Sequence, residues 1–128
     1  MSIRCVVVTP ERTELDREAD FVALPMFDGE LGVQRGRAPI IGRLGYGVLR
    51  LQTVSGPERY FVDGGFAQVE DDVVNVLTGR AIPVDLLDND EATKTLAEAL
   101  DMPSSTPEQA QIKDAAVRRA RGQLRASR

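Results

Sequence analysis

Residues 47–62 read Gly-Val-Leu-Arg-Leu-Gln-Thr-Val-Ser-Gly-Pro-Glu-Arg-Tyr-Phe-Val, and this stretch decides the fold class. Up to Val54 the side chains alternate with a period of two, which is typical of a strand with one buried and one wet face. Ser55-Gly56-Pro57-Glu58 consists of residues that favour turns. Arg59–Val62 then resumes the strand pattern. The stretch therefore predicts a β-hairpin.

Further short apolar runs surround this hairpin in the N-terminal two thirds of the chain. They are Arg4–Thr9, Asp20–Pro25, Phe66–Glu70 and Val73–Leu77, and turn signals separate them at Pro10, Gly64-Gly65 and Asp71-Asp72. Short strands with a turn signal every ~8–12 residues are typical of an all-β sandwich or barrel. The sequence thus predicts an all-β N-terminal domain over residues 1–86.

The pattern changes to a helical period after Pro83. Asp88 has the character of an N-cap, with Glu91 three residues later, and apolar residues then recur at helical spacing. A break around Pro103 is followed by a second N-cap at Thr106, with Pro107 at the first helical position. We therefore predict a C-terminal α-helical hairpin over residues 87–128, whose second helix runs from Pro107 to about Ala126.

The second helix is predicted to pack weakly. Its apolar stripe, formed by Ile112, Ala116, Ala120 and Leu124, is mostly alanine, so burial gains little free energy. Gly122 lowers helix stability by about 1 kcal/mol relative to alanine. Two interpretations stay open: the hairpin packs permanently against the sandwich, or it leaves this position at low energetic cost.

Composition restricts the chemistry. The chain has no histidine, no tryptophan and a formal net charge of −4. Histidine is the commonest general base and metal ligand, and nucleic-acid binders are rich in basic and aromatic residues.

The single cysteine, Cys5, lies in an apolar run and is expected to be a buried thiol in a reducing compartment. We expect no signal peptide, and no stretch approaches the ~20 apolar residues of a membrane span.

The N-terminal motifs resemble one family. Ala19-Asp-Phe-Val-Ala-Leu-Pro-Met-Phe-Asp-Gly-Glu-Leu-Gly-Val33, followed by Gly36-Arg37-Ala38-Pro39, resembles the first domain of the epsilon subunits of F-type ATP synthases. Asp63–Val69 and Val73–Thr78 are similar to that family's paired strands, and Gln123-Leu124-Arg125 is similar to the end of its last helix. The matches cover most of the first domain, in the family's order and spacing.

The resemblance implies a function and a set of partners. It implies a non-catalytic central-stalk subunit that couples rotation of the gamma subunit and the c-ring to ATP synthesis. It also implies that residues 1–86 bind gamma and the ring, and that the tail transiently contacts the catalytic alpha/beta head. The implied location is the cytoplasmic face of a bacterial plasma membrane, bound peripherally and without insertion. No catalytic site, metal or cofactor is implied.

The resemblance also implies contact residues in the first domain. Glu30, between two glycines at the predicted tip of a loop, and Leu31 are implied to face the c-ring. Without the resemblance, an ordinary hydrated turn residue is the favoured interpretation of Glu30. Arg37 stands where the family has histidine, so any pH sensitivity of that histidine is lost. Arg37 either pairs with an acid on the ring or lies in water.

The tail carries a second set of implied contacts. Its first half is acidic and its second half is basic, with Arg118, Arg119, Arg121 and Arg125 on the second helix. The resemblance implies that these arginines meet an acidic loop of the catalytic head and restrain ATP hydrolysis. The other interpretation is a solvated face, or pairing with the acids of the first helix, which are Asp90, Glu91, Glu98 and Asp101.

Some bacterial epsilon subunits bind ATP through an Ile/Leu-Asp-x-x-Arg-Ala motif on the tail. Here Lys113 separates Ile112 from Asp114, and the arginines downstream are Arg118 and Arg119. The spacing at Ile112 does not match, so we expect no regulatory ATP site.

The sequence leaves two other classes of protein open. One is a small β-domain adaptor whose arginine-rich helix binds nucleic acid or an acidic protein; the negative net charge and the low aromatic content oppose the nucleic acid. The other is an enzyme, which is opposed by the lack of a nucleophile–base arrangement. The carboxylates in question, Asp63, Glu70, Asp71 and Asp72, are predicted to be turn and strand-end residues.

Overall fold

The computed structural model describes residues 2–127, which form ten strands and two α-helices. The strands are β1 (Ile3–Val8), β2 (Thr13–Ala19), β3 (Phe21–Met26), β4 (Gly29–Val33), β5 (Ile40–Arg43), β6 (Tyr46–Thr53), β7 (Gly56–Asp63), β8 (Phe66–Glu70), β9 (Val73–Leu77) and β10 (Ala81–Pro83). A single 3-10 turn, Val84–Leu86, leads to α1 (Asn89–Leu100) and α2 (Pro107–Ala126).

The strands form two five-stranded sheets that face each other. Sheet I has the order β2-β1-β9-β8-β5, and sheet II has the order β10-β7-β6-β3-β4. Neighbouring strands are antiparallel except β1 and β9, which pair in parallel. The predicted all-β sandwich followed by a helical hairpin is confirmed.

The core lies between the two sheets, because alternate residues of each strand point inward. In sheet I, Cys5, Val7, Val74 and Val76 are at most 1% exposed. Sheet II contributes residues that are equally buried, namely Val22, Leu24, Val33, Leu49 and Val62. Burying these side chains from both sheets is what holds the sandwich together.

The structure corrects the predicted turn after Val54. Thr53 pairs with Gly56, so the hairpin turn is only Val54-Ser55 and β7 already begins at Gly56. Pro57 is tolerated in β7 because β10 pairs only with Tyr60–Val62, which leaves the other side of Pro57 without a neighbouring strand.

Four strands of the structure were not predicted. They are β2, β4, β5 and β10, which lack a simple alternation of apolar residues.

Both predicted helix caps form. The Asp88 side chain accepts hydrogen bonds from the N–H groups of Asp90 and Glu91, and the Thr106 hydroxyl accepts one from Gln109. The Gln109 side chain accepts from Ser105, one residue before the position that a capping box requires. α2 packs on the outer face of sheet II at β6 and β7, and α1 packs on α2.

Candidate docking surfaces of the sandwich and the tail

Glu30 does not lie at a loop tip. The tip of the β3–β4 hairpin is Phe27-Asp28, and Glu30 is the second residue of β4, opposite Pro25. Its Oε1 accepts a hydrogen bond from Arg50 Nη2 at 2.7 Å, and the side chains of both residues remain about half exposed. The prediction of a free loop carboxylate is therefore wrong in its geometry, although the side chain stays accessible to a partner.

Leu31 points in the other direction. It lies opposite Leu24 and packs against the core, partly buried. With Ile40 and Ile41 it lines a cleft of about 600 Å³ between the edge strands β4 and β5. Leu31 thus supports the wall of a cleft and does not project from a loop.

Arg37 lies in the loop of residues 34–39, beyond the end of β4 that is opposite the Phe27-Asp28 tip. Hydrogen bonds hold the loop: Arg37 N–H donates to Gln34 O at 3.2 Å, and Gly36 N–H donates to Asp72 Oδ1 at 2.7 Å. The Arg37 residue is exposed. Glu30 and Arg37 therefore lie towards opposite ends of β4 and do not share one loop.

Sequence reasoning missed an apolar patch on the outer face of sheet I. Phe66 pairs with Leu77, and both are more than half exposed; Ile41, on the neighbouring strand β5, is 72% exposed. The sequence does contain a signal for this patch. Phe66 and Leu77 alternate with the buried Ala67 and Val76, so they must lie on the outer face of β8 and β9. We call Ile41, Phe66 and Leu77 the apolar patch.

The structure separates Arg119 from the other tail arginines. Its Nε donates to Asp63 Oδ1 at 2.6 Å, and its guanidinium lies 5.4 Å from the centre of the Tyr46 ring. Burial acts to lower the pKa of Arg119, but the hydrogen bond and charge of Asp63 outweigh it, so this pKa is raised. Asp63 was predicted to be only a strand-end residue; it anchors α2.

The other three arginines line a cleft of about 430 Å³ beside the β3–β4 hairpin. The guanidinium of Arg118 is 5.3 Å from the centre of the Phe27 ring, and its Nε pairs with Asp114 at 3.0 Å. Arg121 and Arg125 are exposed on the same side of α2. Within residues 2–127, no ion pair joins any of the four arginines to the acids of α1, so that predicted pairing does not form.

The stretch of the tail with the spacing of the ATP motif is Leu87–Ala92, not the segment at Ile112, but Glu91 replaces its arginine. Asp88 Oδ1 already accepts hydrogen bonds from Asp90 N–H at 2.9 Å and Glu91 N–H at 3.3 Å. Leu87, Asp88, Glu91 and Ala92 line a cleft of about 430 Å³ together with Arg80 and Arg119. A carboxylate at the arginine position opposes a polyphosphate, so the absence of an ATP site remains our prediction.

The remaining candidate reactive groups have structural roles. Asp72 holds the 34–39 loop, and Asp71-Asp72 forms the β8–β9 turn with positive φ angles of 52° and 62°. Cys5 is buried, and burial raises the pKa of its thiol to about 12, with a smaller contribution from the charge of Asp16. In the described part of the chain, no group of three or more His, Cys, Asp or Glu side chains is arranged to hold a metal ion.

Comparisons with known proteins agree with this architecture. The profile of the family described as "ATP synthase, Delta/Epsilon chain, beta-sandwich domain" matches residues 2–84. The chain is 99% identical over 128 residues to the ATP synthase epsilon chain of Rhodopirellula baltica, with 100% of each covered. It is 35% identical over 133 residues to the ATP synthase epsilon chain of Nostoc, covering 99% and 97% of the two chains.

A solved structure shares the fold. A chain of the Euglena gracilis mitochondrial ATP synthase, in a cryo-EM structure of its OSCP/F1/c-ring, superimposes with a TM-score of 0.87. The sequence identity is 24%, and the match covers 99% of the present chain and 82% of that one.

Neither helix of the described residues is long and apolar enough to cross a membrane.

Proposed function

The chain belongs to the family of ATP synthase epsilon chains, and from this premise we propose that it couples rotation of gamma and the c-ring to ATP synthesis. The observation that carries the proposal is that the two outer faces of the sandwich differ. α2 packs on β6 and β7 of sheet II, whereas sheet I presents the apolar patch to solvent. Exposed apolar patches on soluble proteins mark interaction surfaces.

Gamma is the partner that we assign to the apolar patch. A stalk subunit must transmit torque, so its main contact needs a packed apolar centre. Phe66 and Leu77 are adjacent across β8 and β9, and Ile41 extends the surface on β5. Residues 1–86 form the unit that binds gamma and the ring in this proposal.

The c-ring is assigned to the surface along the edge strand β4. Glu30 and Arg37 are exposed towards opposite ends of this strand, and Leu31 lines the cleft between β4 and β5. A five-residue strand spans about 13 Å, so one broad partner surface reaches both charges. In this proposal the contact extends along a strand, whereas the sequence predicted a contact at the tip of one loop.

The tail, residues 87–128, is proposed to restrain ATP hydrolysis by contacting the alpha/beta head. Arg118, Arg121 and Arg125 are exposed on one side of α2 and suit an acidic segment of the head. Arg119 is engaged by Asp63 while α2 is docked, so it joins that contact only after α2 leaves the sheet. Exposed charges of this kind steer association and make it sensitive to salt.

The same proposal places the subunit peripherally on the cytoplasmic face of a bacterial plasma membrane, with no catalytic site of its own. The candidate carboxylates support the non-catalytic role because they have structural partners. Asp63 holds α2, and Asp72 holds the 34–39 loop. The family match gives no support to the alternative of an adaptor whose arginine-rich helix binds nucleic acid or an acidic protein.

Co-purification with gamma and a c-ring tests the coupling role. Phe66→Asp and Leu77→Asp should each remove gamma from the purified complex, because an aspartate in the centre of an apolar contact is desolvated without a partner. Val54→Asp is the matched control, since Val54 is fully exposed in the β6–β7 turn of the other sheet. Retention of gamma by both patch variants would refute the assignment.

Deletion of residues 87–128 tests the restraint. The assembled complex that lacks the tail should hydrolyse ATP faster than the complete one at the same enzyme concentration. An unchanged rate would contradict the proposed brake.

A further inference from the structure

Two exposed amide side chains lie beside the apolar patch on the outer face of sheet I. Asn75 of β9 and Gln68 of β8 are directly opposite each other in the antiparallel register. Both alternate with buried neighbours, among them Val76 and Ala67, so both point away from the core. Side chains that face each other across two strands have Cβ atoms about 5 Å apart. The two amides can therefore contact the same group of a partner. We call Asn75 and Gln68 the amide pair.

Apolar side chains border the amide pair on three sides. The Phe66–Leu77 pair of the apolar patch is the next outward-facing pair along β8 and β9. Ile41 is the register partner of Gln68 on β5. On the third side Val6 of β1, which is partly buried, is the register partner of Asn75. A partner that covers the apolar patch therefore also covers the amide pair.

The fourth side is polar. Glu70 is opposite Val73, the outward-facing pair that follows the amide pair along β8 and β9. Beside Val73 lies Arg4 of β1, whose guanidinium pairs with Asp16 at 2.6 Å. An apolar centre with a charged rim is the usual composition of a protein–protein interface. The amide pair differs from this rim because it reaches into the apolar centre.

Most of the hydrogen-bonding capacity of the amide pair is unused within the chain. A carboxamide carries two N–H donors and an oxygen acceptor. Gln68 Nε2 donates to Glu70 Oε2 at 3.3 Å, and within residues 2–127 the Asn75 side chain makes no hydrogen bond. Both side chains are exposed, so water satisfies them in the free chain.

Docking of gamma on the apolar patch would remove this water. A polar group that is buried without a hydrogen-bond partner destabilises a complex. A purely apolar surface on gamma would therefore leave the amide pair unsatisfied. A surface that offers a donor and an acceptor at this point would satisfy it.

We infer that Asn75 and Gln68 determine the specificity of the gamma contact, because gamma places one amide group of its main chain or a side chain against both of them. This group donates to and accepts from the amide pair, and its position fixes the orientation of the sandwich on gamma. The apolar patch supplies affinity, whereas the amide pair selects the partner. The inference rests on the proposed assignment of the patch to gamma.

Apolar variants of similar size test this role. Gln68→Met and Asn75→Leu add apolar surface to the patch but remove the amides. Each should bind at least ~10-fold more weakly to an ATP synthase complex that retains gamma and lacks this subunit. Gln52→Met is the matched control, because Gln52 is exposed on sheet II, and it should bind like the unmodified chain. Unchanged or tighter binding by the two amide-pair variants would overturn the inference, since added apolar surface alone strengthens an apolar contact.

A double variant tests whether one group of gamma contacts both amides. Gln68→Met combined with Asn75→Leu should lose less affinity than the product of the two single losses, because either change already disrupts the shared contact. Asn75→Thr keeps a donor and an acceptor and should bind within ~3-fold of the unmodified chain. Single losses that multiply fully, or a loss in Asn75→Thr as large as in Asn75→Leu, would contradict the shared contact. An unchanged midpoint of urea unfolding shows that each variant is folded.

The patch variants separate this inference from the proposed function. If Phe66→Asp removes gamma while Gln68→Met and Asn75→Leu bind normally, the patch assignment stands and the role of the amide pair fails. If Phe66→Asp and Leu77→Asp both retain gamma, the patch assignment fails and the inference fails with it.

Discussion

The Nη2 atom of Arg50 lies 2.7 Å from Oε1 of Glu30, and this ion pair crosses β3 to join β6 to the edge strand β4. It holds Glu30 in place on the side of β4 that we assign to the c-ring. Because both side chains are about half exposed, the pair stabilises the fold by no more than ~1 kcal/mol.

Glu30→Gln should therefore affect binding more than folding. We expect the free energy of unfolding in urea to change by less than ~1 kcal/mol, and association with an isolated c-ring to weaken by about 3- to 10-fold. Glu18→Gln, at an exposed position of β2, is the control. If the two variants bound the ring equally well, Glu30 would not be part of the contact.

Leu24 and Phe61 are both fully buried in sheet II, but on opposite faces of it. Leu24→Ala should lower the free energy of unfolding by about 2–5 kcal/mol, because it leaves a cavity in the sandwich core. Phe61→Ala should loosen the contact with α2 while leaving the sandwich folded. Native-state hydrogen exchange distinguishes the two, since only Leu24→Ala should accelerate exchange in β1 and β9. Global acceleration by Phe61→Ala would contradict the outer-face assignment.

The strands and caps that local chemistry specifies could be predicted from the sequence. β8 and β9 match the predicted ranges, and the Asp71-Asp72 turn and the two N-caps depend on neighbouring residues only. β2 escaped prediction because five of its seven residues are polar or charged, and only Leu15 and Ala19 are buried.

Contacts between distant segments could not be predicted from the sequence. Arg119 and Asp63 are 56 positions apart, and Glu30 and Arg50 are 20 apart. The acidic first half and basic second half of the tail left open that its arginines pair with the acids of α1, but Arg119 lies against the sheet and pairs with Asp63. For the same reason Gly122 was predicted only to weaken the helix; a Cβ atom there would lie 2.6 Å from the backbone oxygen of Tyr46, which belongs to another element.

Cys5 should be inert in the native chain. Burial raises the pKa of its thiol from 9.0 to about 12, so the folded state favours the protonated form. This contribution to stability is present below pH 9 and is lost as the pH rises from 9 towards 12. At pH 8.5 a disulfide reagent should react with the thiol at least ~100-fold more slowly in the native chain than in guanidinium chloride. Comparable rates would show that β1 opens readily.

Gly65 should tolerate no side chain, because it has a φ of +105° and a Cβ atom there would lie 1.9 Å from the carbonyl oxygen of Leu77. Gly65→Ala therefore combines backbone strain with a clash against β9. We expect the free energy of unfolding to fall by at least ~3 kcal/mol, beyond the cost of the strain alone. Gly36→Ala is the matched control, since Gly36 has a φ of +83° but open space around it, and should lose only about 1–2 kcal/mol. Urea titrations of the two variants compare them directly. An equal loss would mean that the start of β8 moves away from Leu77, and that the Phe66–Leu77 pair at the centre of the apolar patch is not held rigidly.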